Sequence, residues 1–207
     1  MMLWLVARVL GRLRRSFYQT LGGLRLRAGG VVTNGRVVLH GLPIVQSHDV
    51  GSIVLGKNVV LCSRSASTAL GVSHPVILRT LAEGATIRIG DDVGMSGGAI
   101  CAAVSVTVGN GCLIGADVMI VDTDFHPVAS RARRYAPLGP SDSAPVTIGD
   151  NVFIGARSIV LKGVSIGAGS VIGAGSVVTR SIPPGVVAAG NPCHAVRRLF
   201  EDDTNTA

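Results

Sequence analysis

His126 stands in the run DTDFHP (122–127), with Asp122 and Asp124 four and two residues before it. An imidazole titrates near neutrality, so it can take a proton from a hydroxyl and hand it on within one reaction cycle. A carboxylate on the other ring nitrogen would fix the ring's tautomer and orientation, and Asp122 and Asp124 are the candidates. The alternatives at this level are a loop histidine that only hydrogen-bonds and two turn-forming aspartates. No second constellation competes. His40, His48, His74 and His194 are dispersed, and only His126 lies between His74 and His194, so no zinc ligand set is expected. Cys62, Cys101, Cys112 and Cys193 form no CxxC pair and read as reduced residues of a cytosolic protein.

What could hold such a histidine is a repeat. Stepping by six from Ile148 gives Ile148, Ile154, Val160, Ile166, Ile172 and Val178, all branched and apolar. At 47% apolar content that run is about a 1% event by chance, and the glycines at 149, 155, 167 and 173 make it rarer. Upstream the period reads through Ile89, Met95 and Cys101. It resumes after one extra residue at Val108, Ile114 and Ile120, and starts weakly at Leu55 and Leu61. Six residues fit neither a helix nor a long strand. They fit a solenoid in which each side is one short strand and one turn, and three sides make a coil. The branched residue points inward, a small fifth residue (Val152, Ser158, Ser170, Ser176) shares the interior, and Gly, Asp or Asn takes the corner. Stacked coils would then pair their strands in parallel over one continuous core.

The period breaks over residues 123–145, which hold four prolines and three arginines, and this is where function is expected to sit. Residues 63–75 read as a second loop, and Lys162 as a surface corner residue. Three regions follow: a lead-in over 1–40, the solenoid over 41–182 with its loop at 123–145, and a C-terminal segment over 183–207 in which His194 to Phe200 would form a short helix. Residues 1–10 are apolar but broken by Arg8. The run is too short to span a bilayer and lacks a small-residue cleavage site. A short amphipathic helix is expected there. It would pack on a neighbouring subunit or make peripheral membrane contact through residues 1–20, and both readings stay open. The net charge is +7, with Arg8, Arg12, Arg14, Arg15, Arg25, Arg27 and Arg36 near the N-terminus. Nucleic acid is not expected as a partner, because no DNA- or RNA-binding signature appears and aromatics are only 3%.

The repeat, DTDFHP (122–127), VTIGDNVFIGA (146–156) and IGAGSVVTRSIPPGVVAAGNPCHAVRR (172–198) together resemble the hexapeptide-repeat acyltransferases. The resemblance is to the galactoside and maltose O-acetyltransferases and to related enzymes of polysaccharide gene clusters. It implies an all-β fold: a left-handed parallel β-helix solenoid with short N- and C-terminal helices and one long protruding loop. It also implies transfer of an acetyl group from acetyl-CoA to a hydroxyl of a sugar or glycan precursor, with His126 as general base, in a cytoplasmic homotrimer that requires no metal. Family positions for the donor fall on Phe153, Ala156, Ala174, Arg180, His194 and Arg197. Ala156 and Ala174 would offer backbone to the pantetheine arm and thioester, and the basic residues would reach its phosphate end. The sequence departs from the sugar enzymes at Gly97, where they carry an acceptor-holding Asn, and at His194, where they carry Arg. An N-acyltransferase on an amino-sugar and a non-catalytic β-helix scaffold remain as alternatives.

Overall fold

The computed structural model describes residues 2–199, with side chains described at Arg8 and from residue 10 onward. A helix, α1 (Met2–Ala28), precedes six coils of three strands each. The first coil is β1 (Val32–Thr33), β2 (Val37–His40) and β3 (Ile44–Gln46). The second is β4 (Ile53–Leu55), β5 (Val59–Cys62) and β6 (Ile77–Thr80). The third is β7 (Thr86–Ile89), β8 (Gly94–Ser96) and β9 (Ala99–Ala102). The fourth is β10 (Ser105–Val108), β11 (Leu113–Ile114) and β12 (Met119–Val121). The fifth is β13 (Val146–Ile148), β14 (Phe153–Ile154) and β15 (Ile159–Val160). The sixth is β16 (Ser165–Ile166), β17 (Val171–Ile172) and β18 (Val177–Val178). Every third strand pairs in parallel, giving three faces: A from β1 to β16, B from β2 to β17, and C from β3 to β18. The chain is a left-handed parallel β-helix.

The inward residues are those the six-residue step selects. Ile148, Ile154, Val160, Ile166, Ile172 and Val178 are each at most 2% exposed, and Val152, Ser158, Ser170 and Ser176 share the interior. The stack on face B runs Leu39, Leu61, Met95, Ile114, Ile154, Ile172 and Ala188 in register. Each buried branched side chain contributes about 1.5–3 kcal/mol of transfer free energy, so the prism holds together without aromatic residues. Corner carboxamides and carboxylates tie coil to coil. Asp91 accepts from the Lys57 N–H (2.7 Å), Asn110 from that of Asp91 (2.8 Å), and Asp150 from that of Asn110 (2.7 Å). The glycine after each branched residue serves close approach rather than a special dihedral. A Cβ on Gly155 would stand 2.5 Å from the Ala174 nitrogen.

Three expectations need correction. Cys101 is not an inward residue. Ile100 takes that place, fully buried and in register with Ile120. The corner before it, with Gly97 and Gly98 both at positive φ, is one residue shorter than its counterpart below, so a first slip of phase falls there, and the corner after Ala102 is two residues longer and restores the register at Val108. The N-terminal helix is long rather than short, and the first coil begins at Val32. Gly22 does not break α1; it lets the helix lie directly against Leu39, where a Cβ would collide. Beside it, the Gln19 side-chain amide donates to the Val37 carbonyl (3.0 Å) and accepts from the Leu39 N–H (2.7 Å), so it covers the open edge of β2. At the other end, His194 to Leu199 form no helix. β19 (Val186–Gly190) adds in parallel to β17, and β20 (Cys193–Arg198) folds back antiparallel on it through a turn with a cis Asn191–Pro192 peptide. The unpaired backbone of the last coil claims this segment as strand, overriding the local helical pattern. Phe200 lies outside the described residues.

Candidate active site

The loop bearing His126 leaves from the corner between faces C and A, and its neck is closed. Thr123 and Ser143 form an antiparallel bridge. The Asp124 N–H donates to the Asp142 carbonyl (2.9 Å), and the Ala144 N–H to that of Asp122 (2.8 Å). Lys162 occupies the same corner one coil below. Its ammonium donates to Asp124 Oδ2 (2.6 Å) and to the Ser141 carbonyl (2.6 Å). Lys162 is therefore a clamp on the neck rather than a bystander, and the signal was its phase in the repeat. Beyond the neck, Phe125 holds a left-handed backbone (φ 62°), uncommon for a bulky side chain, and the exposed His126 ring follows it.

Neither carboxylate orients His126 within this chain. Asp122 is fully buried, and its two oxygens accept from the N–H groups of Ala103 (2.6 Å) and Val104 (2.8 Å). Asp124 is committed to Lys162. Within this chain the backbone corner holds both oxygens of Asp122, and the clamp holds Asp124 through Oδ2.

The second half of the geometry lies on the corner between faces B and C. Ala116, Ala156 and Ala174 occupy this corner in successive coils, and with Leu70, Asp117 and Arg157 they line a cavity of roughly 380 Å³. Small side chains here leave the backbone open to a ligand. The 63–75 loop forms one wall. Asp117 accepts from the Ser73 N–H (2.9 Å), and Ser65 and Val72 exchange two hydrogen bonds, which brings the exposed Leu70 over the groove. Leu70, Asp117 and Arg157 were not singled out from the sequence; the interruption at 63–75 was the available signal.

The other donor-side candidates divide into three places. Arg180 and His194 meet on one cavity of roughly 360 Å³ between the sixth coil and the hairpin. Arg197 lines a neighbouring one of roughly 660 Å³ with Pro183 and Pro184. Phe153 stands outward on face B, 45% exposed. It belongs to an outward ladder of Leu113, Phe153, Val171 and Val187. Face C carries a second outward ladder of Ile44, Ile77, Ala99, Met119, Ile159 and Val177. Face A is more polar over its last four coils, with Arg88, Thr107, Thr147 and Ser165. Two of three faces thus offer apolar stripes, and His126 and the alanine groove lie on different corners of one prism.

The four thiols carry no sign of activation. Burial pushes Cys62, Cys101, Cys112 and Cys193 above the ordinary thiol value. Among the described residues no cluster of His, Cys, Asp and Glu is placed to hold a metal ion.

Comparison with known proteins agrees with this architecture. Residues 145–180 match the family model described as hexapeptide repeat of succinyl-transferase. The galactoside O-acetyltransferase of Escherichia coli K12 is 46% identical over 99 residues, 48% of this chain and 47% of that one. The chain spans about half the length of the curated relatives it matches. A galactoside acetyltransferase solved in complex with coenzyme A is 27% identical, with a TM-score of 0.54, covering 89% of this chain and 76% of that one. An N-acyltransferase from Bacillus cereus, solved with dTDP and 3-hydroxybutyryl-CoA, shares the fold at 18% identity. Its TM-score is 0.65, covering 84% of this chain and 87% of that one. The resemblance to the hexapeptide-repeat acyltransferases, the galactoside enzymes included, stands on sequence and on structure.

Proposed function

We propose that the protein transfers an acetyl group from acetyl-CoA to a hydroxyl of a sugar or glycan precursor, at sites completed between subunits of a homotrimer. The observation that carries this reading is the separation of the two halves. The exposed His126 lies on the C–A corner beyond its clamped neck and the small-residue groove on the B–C corner, and a neighbouring copy packed on the apolar ladders would bring one to the other. The alanine corners offer backbone N–H groups to the thioester oxygen, and Arg180, His194 and Arg197 offer positive charge to the phosphates of the donor.

In the reaction, His126 takes the proton of the acceptor hydroxyl as its oxygen bonds to the thioester carbonyl carbon. The tetrahedral intermediate holds its negative charge on the former carbonyl oxygen, where corner N–H groups stabilise it. Collapse breaks the carbon–sulfur bond, and the coenzyme A thiolate recovers the proton from His126. The products are an ester and free coenzyme A, and one acetyl-CoA is consumed per turnover. Acetyl-CoA as donor supports a cytoplasmic place for the reaction. A scaffold reading gives no role to a clamped histidine loop.

Thiol release from acetyl-CoA against a panel of sugars, nucleotide sugars and amino-sugars tests the proposal. Release that depends on a hydroxyl acceptor, with an ester product by mass, is expected. An amide product would replace it with amino-sugar N-acylation. Absence of acetyl-CoA binding would leave the scaffold reading.

A further inference from the structure

Outside the acyl-transfer site, the outer face of α1 is the feature that function has not absorbed. Leu10, Leu13, Phe17, Leu21 and Leu24 are between 39% and 63% exposed. Their spacing of three and four residues puts them in one stripe about 21 Å long at 1.5 Å per residue. Gln19, Gly22 and Leu26, which dock on the solenoid, fall on the opposite side of the same helix, so the stripe points away from the protein. Arg14 and Arg25 flank the stripe on one side and Arg27 on the other. Arg8, Arg12 and Arg15, with Arg14 at the border, line a cavity of roughly 320 Å³ with Tyr18 and His40. The first 48 residues contain seven arginines and no acidic residue. The remaining twelve basic residues are matched by twelve acidic ones, so the whole net charge of +7 lies in this segment.

We propose that α1 lies in the interface of an anionic lipid bilayer, its leucine and phenylalanine stripe among the upper acyl chains and its flanking arginines against headgroup phosphates. An apolar stripe bordered by cations on a helix without acidic residues is complementary to such a surface in both hydrophobicity and charge. A second copy of this chain is a poorer occupant, because it would present either the same acid-free arginine helix or a solenoid in which basic residues outnumber acidic ones. The helix lies on the bilayer rather than through it: among the described residues no helix is long and apolar enough to cross a membrane. The proposal does not depend on the acyl-transfer reading, and its test involves no turnover.

The test is flotation of the full chain with vesicles of phosphatidylcholine, with and without about a third of phosphatidylglycerol. Binding to the anionic vesicles, weakened by salt, and little binding to the neutral ones is the expected result. The double variant Leu13→Glu/Phe17→Glu changes only exposed positions, so its melting midpoint should hold while its partition falls at least about tenfold. Arg14→Gln/Arg25→Gln should lose about fivefold per arginine on anionic vesicles only. Failure of the wild type to float with anionic vesicles would overturn the proposal, as would equal flotation with neutral ones or by the glutamate variant. A smaller assembly for the glutamate variant in light scattering, with vesicle binding unchanged, would assign the stripe to a second copy instead.

Discussion

Replacing Lys162 by Met should loosen the histidine loop without unfolding the solenoid. The ammonium makes two charge-assisted contacts of 2.6 Å, to Asp124 and to the Ser141 carbonyl, and each side chain of the ion pair is only about a quarter exposed. The gross Coulomb attraction at 2.6 Å is about 6 kcal/mol at an effective dielectric of 20. Most of it is offset by the desolvation of both charges and by the side-chain entropy the clamp removes. A net value of about 1.5–3 kcal/mol is the reasonable expectation for hydrogen bonds to a charged group. The Thr123–Ser143 bridge and its two neighbouring backbone bonds remain, so the loss acts on the opening of the neck and not on the core. Native-state hydrogen exchange reads that opening directly. The amides of Asp124 and Ala144 should exchange about 10- to 150-fold faster, while those paired between coils keep their protection. Turnover should fall with acetyl-CoA affinity unchanged, and Lys162→Arg should restore much of both. Unchanged exchange at Asp124 and Ala144 in the Met variant would refute the clamp.

His126→Ala should lower turnover by at least about 10²-fold while acetyl-CoA binding by calorimetry stays within twofold; retained turnover would remove the base role. Asp122→Asn places an amide N–H against one of two backbone N–H groups in a buried corner. It should cost about 1–3 kcal/mol and lower the melting midpoint by about 3–10 °C, with turnover per folded molecule preserved. Lost turnover at unchanged stability would return Asp122 to the reaction. Gly155→Ala forces its Cβ onto the backbone of the next coil and should destabilise by about 1–3 kcal/mol in denaturant titration. The four thiols are raised by burial, so the unfolded chain ionises first as pH climbs. Stability should be fully present below the ordinary thiol value of 9.0 and fall above it. A variant with all four cysteines replaced by serine should lose that alkaline component.

The repeat made the interior legible because a narrow prism admits one branched side chain per side, and that demand writes itself into every sixth residue from Ile148 to Val178. It misled at Cys101, where a corner shortened by Gly97 and Gly98 moves the phase before the residue that seems to carry it. The ends were less readable for a common reason. At both, an exposed sheet edge recruits whatever follows or precedes it: Gln19 and Gly22 at β2, and the 193–198 strand beyond β19. Local propensity cannot report such an edge. Within the site, His126 was legible by its neighbours and its loop. The fate of Asp122 and Asp124 was not, since their partners Ala103, Val104 and Lys162 come from other coils, 18 to 38 residues away in sequence. The groove wall at Leu70 was hidden in the same way.

The alanine corners also act as a length gauge. Ala116, Ala156 and Ala174 rise one strand spacing at a time, about 4.8 Å, toward the basic hairpin. A bound molecule laid along this edge is thus measured in whole coils. Duplicating one 18-residue coil between β15 and β19 would move the arginines away from the histidine level by a single increment, leaving every local contact intact. The reach of the ligand, rather than the chemistry of its ends, would then decide whether both ends are held at once.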